Sequence, residues 1–328
     1  MRKLDILVPI YNEDENIIKP LFDSIAIQQN VDLENDIGII VCCDGGSARL
    51  SGDFINKYFF PIEFYVCEHK GVSATRNACL DKSTAEYVMF CDCDDMFYNA
   101  CGLWILFQEM KQGFDSLISI FVEETRNPEN KDEVLYINHE MDTTFVHGKV
   151  HRRQYLIDKN IRWDETLTIH EDSYFNILCQ GLSENIKYSM QSFYLWKWRE
   201  DSVCRHDPKY ILKTYNNLLD SNEKLIQEFL RRNMKDKATF FTVFMIFDAY
   251  YTMNKDEWLN QENQEYRAAT EKRFSEWFEQ KKNLWESMPI GDKMLISNDV
   301  RSRNVMEGMK MEAITIDAWL EHIQTLRR

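Results

Sequence analysis

Three carboxylates directly after an apolar segment have the clearest capacity for chemistry in this chain. The segment Tyr87–Phe90 is typical of a buried strand, and Asp92, Asp94 and Asp95 follow it. In open α/β sheets, ligands bind just past the carboxyl ends of the strands. Clustered carboxylates repel one another unless a cation joins them, and oxygen ligands favour Mg²⁺ or Mn²⁺ over soft metals. The segment therefore predicts either a divalent-metal site or a polar turn at the end of a strand.

Three further segments place polar groups where a ligand could bind. Val8–Glu13 and Cys42–Ser47 each end an apolar run, and the second contains two glycines that let the backbone approach a ligand closely. In His69–Asn77, Arg76 falls on the first turns of a helix that Ser73 can cap. A guanidinium beside free helix N–H groups suits a phosphate. The alternatives are ordinary turns and a solvated arginine.

Two acidic residues, Glu171 and Asp172, open a predicted helix that runs to about Gln180. A helix N-terminus stabilises the ionised form of a carboxylate, which is the state that a general base needs. The alternative is simple capping of the helix.

The elements that must position these groups follow from the apolar pattern. Continuous apolar runs at Leu4–Ile10, Ile37–Cys43, Ile62–Cys67 and Tyr87–Cys91 predict strands covered on both faces. Helical patterns lie between them, and Pro20 is expected to delay or bend the first helix. Strands that alternate with helices predict a mostly parallel α/β sheet.

The second half of the chain changes character twice. Four segments are typical of strands: Leu117–Val122, Val134–Asn138, Thr143–His147 and Phe193–Trp198. Beyond Asp207 the pattern is helical to the end, and Ala238–Tyr251 is apolar enough to be a buried central helix. The sequence therefore predicts two domains, residues 1–206 and residues 207–328.

The composition excludes several classes of protein. Of 328 residues, 39 are Lys or Arg and 54 are Asp or Glu, which gives a formal net charge of −15, nearly all of it in residues 1–206. This charge disfavours general nucleic-acid binding, which needs a basic face for phosphate contacts. No run of about 18 apolar residues exists, so no membrane-spanning helix is predicted. Nine cysteines without a CxxC pair favour a reducing compartment, so a cytoplasmic location is expected.

Taken together, the motifs resemble the family 2 glycosyltransferases, the inverting group with the GT-A fold. The series is VPIYNE near residue 10, CCDGGS near 44, GVSATRN near 75, YVMFCDCDD near 92, HGKVHRR near 150 and HED near 171. The resemblance covers roughly residues 4–200 and implies a GT-A (Rossmann-like) sheet followed by an all-helical domain. Cys43 replaces the first aspartate of a usual pair, and Gly46 is additional, so the preference for a nucleotide base stays open.

The resemblance implies roles for individual residues. A nucleotide-diphospho-sugar, expected to be a UDP-sugar, would bind at Pro9, Tyr11, Glu13, Asp44, His69, Arg76, Asp92 and Lys149. Asp94 would hold Mn²⁺ or Mg²⁺ on the diphosphate, and His206 is either a further metal ligand or a surface histidine. Asp172, next to Glu171, would be the general base that deprotonates the acceptor hydroxyl. A single carboxylate base predicts inversion at the anomeric carbon.

Several alternatives remain open at the level of sequence. The acceptor would be a glycan, a lipid-linked or teichoic-type polymer, a protein or a modified nucleobase in DNA, as in a phage-type transferase. A non-catalytic nucleotide-sugar binding protein and a nucleotidyltransferase are the other classes, and the presence of Asp94 and Asp172 argues against the first of these. The helical domain is expected to bind the acceptor, to support the catalytic domain or to form oligomers.

Overall fold

A computed structural model of the chain describes residues 1–200, Ser202, 209–306 and 314–326. The chain forms two compact units that divide between Ser202 and Val203. His206, a predicted metal ligand, lies outside the described residues. No helix among the described residues combines the length and apolarity that crossing a membrane requires.

The first unit is built on a mixed, mostly parallel sheet. Its strands are β1 Leu4–Ile10, β2 Ile37–Cys43, β3 Ile62–Val66, β4 Tyr87–Phe90, β5 Met96–Phe97, β6 Ser116–Arg126, β7 Val134–His139, β8 Lys149–Arg152 and β9 Ile186–Trp196. The order is β3-β2-β1-β4-β8-β6-β9-β5, and β7 pairs with β6. Strands β3, β2, β1 and β4 are parallel, so their carboxyl ends meet at one edge. The predicted α/β sheet is confirmed.

Helices flank this sheet and also make up the second unit. In the first unit they are α1 Glu15–Ala26, α2 Gly52–Ile55, α3 Val72–Lys82, α4 Gly102–Met110, α5 Arg153–Asp158 and α6 Glu171–Leu182. In the second unit they are α7 Tyr210–Arg231, α8 Lys235–Met253, α9 Asp256–Leu259, α10 Gln264–Ser287, α11 Ile290–Met306 and α12 Ile316–Thr325, with a 3₁₀ turn at Gln261–Asn263. Most residues of α8 are buried, as the prediction of a central apolar helix required.

The predicted starts of two helices need correction. Helix α1 begins at Glu15 in spite of Pro20 inside it, because the Asp14 carboxylate accepts hydrogen bonds from two N–H groups of its first turn. Helix α3 begins at Val72 and is not capped by Ser73. Gly71 takes φ 92°, a conformation open to glycine, and this lets the helix start earlier.

Two strand predictions were also wrong in part. Thr143–His147 is not a strand, because the Asp142 carboxylate accepts the N–H groups of Thr144 and Phe145 and closes a turn there. Strand β3 is not covered on both faces, since it lies at the edge of the sheet and is half-exposed.

Candidate functional site

The carboxyl end of β2 is tied to the loop that precedes α3. The buried carboxylate of Asp44 accepts N–H bonds from Lys70 at 2.8 Å and Gly71 at 3.0 Å, and its Oδ2 lies 2.9 Å from His69 Nδ1. The exposed ring of His69 stacks on Tyr11 with 4.9 Å between centroids. These two exposed rings form a flat surface beside a buried carboxylate, which is a suitable place for a nucleobase.

The end of β1 approaches the same place. The Glu13 carboxylate accepts the Tyr11 N–H at 2.6 Å and so closes the turn after the strand. A Cβ on Gly46 would lie 1.9 Å from the Tyr11 carbonyl oxygen, so only glycine allows this approach of two backbones. Pro9 is buried within β1 in register with Cys42, so its ring is not presented at the surface.

Arg76 links the two acidic parts of the site. Its side chain is only 5% exposed, and its guanidinium donates to Asp92 at 3.0 Å and to Glu171 at 2.9 Å. The guanidinium carbon lies 4.4 Å from the ring of Trp163, which in turn stacks on Phe175 at 4.2 Å. Burial lowers the pKa of Arg76, but the charges of Asp92 and Glu171 outweigh it and raise the pKa overall. Arg76 therefore stays a cation and joins α3, the turn after β4 and the start of α6.

The half-buried carboxyl of Asp172 lies in the first turn of α6. Burial raises its pKa to about 7, and the negative charge of Glu171 adds to this effect. The nearby Arg76 charge and the N–H of Ser173, which donates to Asp172 Oδ1 at 2.8 Å, act in the opposite direction. The prediction that the helix N-terminus keeps Asp172 ionised is therefore corrected. Burial has a larger effect on the pKa of Asp172 than the helix N-terminus has. A pKa near neutrality suits a general base.

The aspartates after β4 do not follow the alternation of an extended strand. Asp92 lies close to Asp95 and His147, with ligand atoms all within 4.8 Å of one another, whereas Asp94 pairs with Arg199 at 2.8 Å. Asp95 is buried and accepts hydrogen bonds from the Tyr194 hydroxyl and, at 2.9 Å, from the Lys197 N–H. The Tyr194 and Arg199 contacts could not be predicted from the sequence, since both residues are about a hundred positions away from the aspartates that they contact.

The buried ring of His147 completes this cluster. Burial lowers its pKa to about 4, so the ring is neutral near pH 7. Its Nδ1 lies 3.6 Å from Asp95 Oδ2 and has no hydrogen-bond partner among the described residues. Two carboxylates and a neutral imidazole with an unused nitrogen are a donor set that a divalent cation such as Mn²⁺ accepts.

Two further side chains near the site, Lys149 and Trp163, are buried. The Lys149 side chain is 2% exposed, and its ammonium lies 3.3 Å from an Asp142 carboxylate oxygen. Burial lowers the pKa of Lys149 in spite of this partner. Trp163 is fully enclosed beneath Arg76, so it packs the core and does not offer a surface for a sugar.

Glycosyltransferases of the GT-A type share this combination of a mostly parallel sheet and an aspartate-rich turn at its carboxyl edge. Residues 5–166 match the family model described as Glycosyl transferase family 2. This segment of the chain belongs to that family.

Two curated relatives are bacterial. Glycosyltransferase GlyA of Streptococcus pneumoniae serotype 4 is 28% identical over 229 residues, which cover 62% of this chain and 32% of GlyA. The minor teichoic acid biosynthesis protein GgaB of Bacillus subtilis is 27% identical over 261 residues, which cover 74% of this chain and 28% of GgaB. The chain therefore spans about a third of the length of these relatives.

Solved structures of S. aureus TarS share the fold. TarS residues 1–349 superpose with a TM-score of 0.64 and 15% identity over 98% of this chain and 90% of that one. The complex of the same TarS segment with UDP-GlcNAc gives a TM-score of 0.64 and 16% identity, again over 98% of this chain and 90% of that one. This likeness supports a GT-A-like sheet followed by a helical region.

Proposed function

We propose that this chain transfers a sugar from a UDP-sugar to a hydroxyl acceptor with inversion at the anomeric carbon. One observation carries the proposal: the buried guanidinium of Arg76 joins Asp92, in the aspartate-rich turn, to Glu171, the neighbour of Asp172. A donor-binding turn and a base of raised pKa are thereby held at one edge of the sheet. The TarS complex with UDP-GlcNAc supports a UDP-sugar as the donor.

The proposed reaction is a single displacement. The carboxylate of Asp172 accepts the proton of an acceptor hydroxyl, and the hydroxyl oxygen forms a bond to the anomeric carbon. The bond between that carbon and the diphosphate oxygen breaks, and its electron pair leaves with UDP. A positioned base of this kind contributes about 10²–10⁴-fold to the rate.

The donor is proposed to bind across the ends of β1, β2 and β4. Tyr11 and His69 supply exposed rings for the base, and Asp44 fixes the loop that carries His69. Asp92, half-exposed, faces the ribose or the sugar. Direct contact of the nucleotide-sugar with Pro9, Glu13, Arg76 and Lys149 stays a proposal. Their positions favour a different role, in which these four residues support the site without touching the donor.

The residues present fit a divalent cation, Mn²⁺ or Mg²⁺, as the cofactor. Asp92, Asp95 and His147 provide the donor set described above. Asp94, which the resemblance assigns to the cation on the diphosphate, is kept as a proposed further ligand beside this donor set. Its carboxylate is half-exposed and lies 2.8 Å from Arg199, so binding the cation would replace that ion pair. When bound, the cation supplies Lewis-acid stabilisation of negative charge on the leaving diphosphate.

A panel of UDP-sugars with Mn²⁺ tests the donor and the metal together. The correct donor at a hundredfold excess over its Kd is expected to stabilise the wild-type chain by about 2.7 kcal/mol, measured as a thermal shift. Asp94→Asn is expected to lose the part of the shift that requires Mn²⁺. Asp81→Asn, which removes an exposed partner of Arg162, is the control and should behave as wild type.

Two outcomes of this panel would count against the proposal. If no UDP-sugar stabilises the wild-type chain, the donor class is wrong. If Asp94→Asn keeps the Mn²⁺-dependent shift, the cation is held by Asp92, Asp95 and His147 without Asp94.

The raised pKa of Asp172 predicts the dependence of the rate on pH. The base acts when it is deprotonated, so kcat is expected to fall about tenfold per pH unit below its pKa of about 7 and to level off above it. Glu171→Gln removes a negative charge that raises this pKa, so the rising limb should move to lower pH. Release of UDP measured from pH 5 to 9 checks this, with the exposed Glu184→Gln as the control. If the rising limb of the pH–rate profile stays at the same pH in Glu171→Gln, the assignment of Asp172 as the general base is contradicted.

We also propose that residues 1–206 form the catalytic domain and that residues 207–328 form a domain that binds the acceptor, supports the catalytic domain or forms oligomers. A glycan, a lipid-linked polymer or a protein is the proposed acceptor class. A modified nucleobase gains no support from the described residues of the site, where Arg76, Lys149 and Arg199 each pair with carboxylates.

A further inference from the structure

A strip of aromatic rings runs along one face of β9, β6 and β7. Phe121 of β6 is in register with Tyr194 of β9 and with His139 of β7. Two residues further along β6, Glu123 is in register with Trp196 of β9. Residues in register on neighbouring strands project to the same face of a sheet. The strip therefore crosses three strands on a single face.

The rings of this strip contact one another closely. Trp196 lies 5.0 Å from His147 and 5.4 Å from Phe145, and Phe121 lies 5.1 Å from His147 and 4.5 Å from the nearly parallel ring of His139, all between centroids. Phe121 and His147 are buried, whereas Trp196, Phe145 and His139 are half-exposed. The buried rings hold the exposed ones in place, which gives a rigid surface with little entropy to lose on binding.

A carboxylate–imidazole pair lies at the outer end of the strip. Glu123 Oε2 is 2.8 Å from His139 Nε2, and both side chains are partly exposed. A carboxylate accepts hydrogen bonds from hydroxyl groups, and an imidazole has both a donor and an acceptor when neutral. The strip thus offers polar groups that match sugar hydroxyls beside flat apolar faces.

The inner end of the strip adjoins the catalytic groups. The Asn176 side chain donates to the carbonyls of Thr144 at 2.8 Å and Phe145 at 3.0 Å. Asn176 lies one helical turn after Asp172 on α6, so this contact places Phe145 near the base. On the other side, His147 adjoins Asp95 of the aspartate-rich turn. The strip therefore begins between the base and the donor site and leads outward to β7.

We propose that this strip is the subsite for an uncharged pyranose ring of the acceptor glycan. The C–H face of the sugar packs on Trp196 and Phe145, and its hydroxyls bond to Glu123 and His139. Small-molecule sites typically combine mainly aromatic walls with a few placed polar groups. The Glu123 carboxylate lies at the end of the strip that would bind the hydroxyls, and its charge disfavours an anionic ring there. This inference rests on the proposed function, since it assigns the acceptor side of the same site.

Binding of neutral oligosaccharides tests the subsite directly. Saturation-transfer NMR on the full chain is run with chitotetraose, cellotetraose and maltotetraose as probes. The wild type is expected to bind at least one of them. Glu123→Gln is expected to bind it about tenfold more weakly, because a hydrogen bond to a charged group becomes one to a neutral group. Trp196→Ala is expected to bind it about tenfold more weakly, because the sugar loses an aromatic face to pack on. Glu124→Gln is the matched control, since it makes the same change on the next residue of β6, which faces the opposite side in register with Tyr136.

Binding of UDP with Mn²⁺, followed by calorimetry on the same samples, separates this inference from the proposed function. Wild type, Glu123→Gln and the control Glu124→Gln are expected to bind UDP equally, which also shows that these variants are folded. Trp196→Ala is used only for the oligosaccharides, because Trp196 stacks on His147 of the proposed cation site. If the wild type binds none of the probes, or if Glu123→Gln binds them as the wild type does, the subsite is refuted. If the wild type fails to bind UDP, the proposed function fails whatever the glycan result.

Discussion

Asp172→Asn is expected to lower the rate of sugar transfer by about 10²–10⁴-fold while donor binding stays unchanged. Asparagine keeps the size of the side chain but cannot accept the proton of the acceptor hydroxyl. The carboxyl is half-buried in the first turn of α6, where burial raises its pKa to about 7. The neutral amide therefore removes the base without adding a buried charge. Release of UDP measures the rate, and calorimetry with the UDP-sugar measures binding.

The control for this variant is Asp158→Asn, an exposed aspartate on α5. It should leave both the rate and donor binding unchanged. If Asp172→Asn transfers sugar at the wild-type rate, Asp172 is not the general base. Loss of donor binding in Asp172→Asn would instead assign it to the donor site.

Arg76→Met is expected to reduce the free energy of unfolding by about 3–5 kcal/mol, the usual effect of removing one partner from a buried ion pair. The side chain is 5% exposed and balances Asp92 and Glu171. Without it, these two carboxylates and Asp172 repel one another in a partly buried place. Protonation relieves this repulsion, so the loss of stability should be larger at pH 8 than at pH 5.

Urea denaturation at both pH values measures this effect. Arg162→Met serves as the control, since Arg162 forms an exposed pair with Asp81 and such pairs contribute about 0–1 kcal/mol. A loss in Arg76→Met no greater than that of the control, or one independent of pH, would show that Arg76 does not hold the acidic groups together. Transfer activity should also fall, because the base and the donor site lose their connection.

The strands that carry the site could be predicted from the sequence because their signal is local. Leu4–Ile10 and Ile37–Cys43 are continuous apolar runs, and the structure confirms both as β1 and β2. The order of these strands places Tyr11, Asp44 and Asp92 at one edge. The edge of the sheet that carries the candidate site therefore follows from the strands alone, without any side-chain contact.

The contacts that define the chemistry could not be predicted in the same way. Arg76 and Glu171 are 95 positions apart, and only the packing of α3 against the start of α6 brings them together. In an extended strand Asp92 and Asp94 would share one face. Instead, a turn closed by the Asp95 N–H and the Asp92 carbonyl brings Asp95 beside Asp92, and the segment before β8 brings His147 to them. Burial, which decides the pKa of Asp172, is likewise a property of the folded chain.

The negative net charge of the chain bears on how the site can bind an anionic donor. A domain with most of a −15 charge needs local cations to hold a diphosphate. Arg76, Lys149 and Arg199 all lie beside carboxylates. A divalent cation at the aspartate-rich turn is thus the charge that the proposed donor requires.

The anomeric configuration of the first sugar released tests the proposed reaction most directly. UDP-glucose, UDP-galactose and UDP-GlcNAc are α-linked, and water can replace the acceptor, so the acceptor need not be known. With Mn²⁺ and the donor that stabilises the chain most, proton NMR is expected to detect the β-anomer before mutarotation in the wild type and little release in Asp172→Asn. Initial release of the α-anomer, or equal release by Asp172→Asn, would contradict inversion by this base.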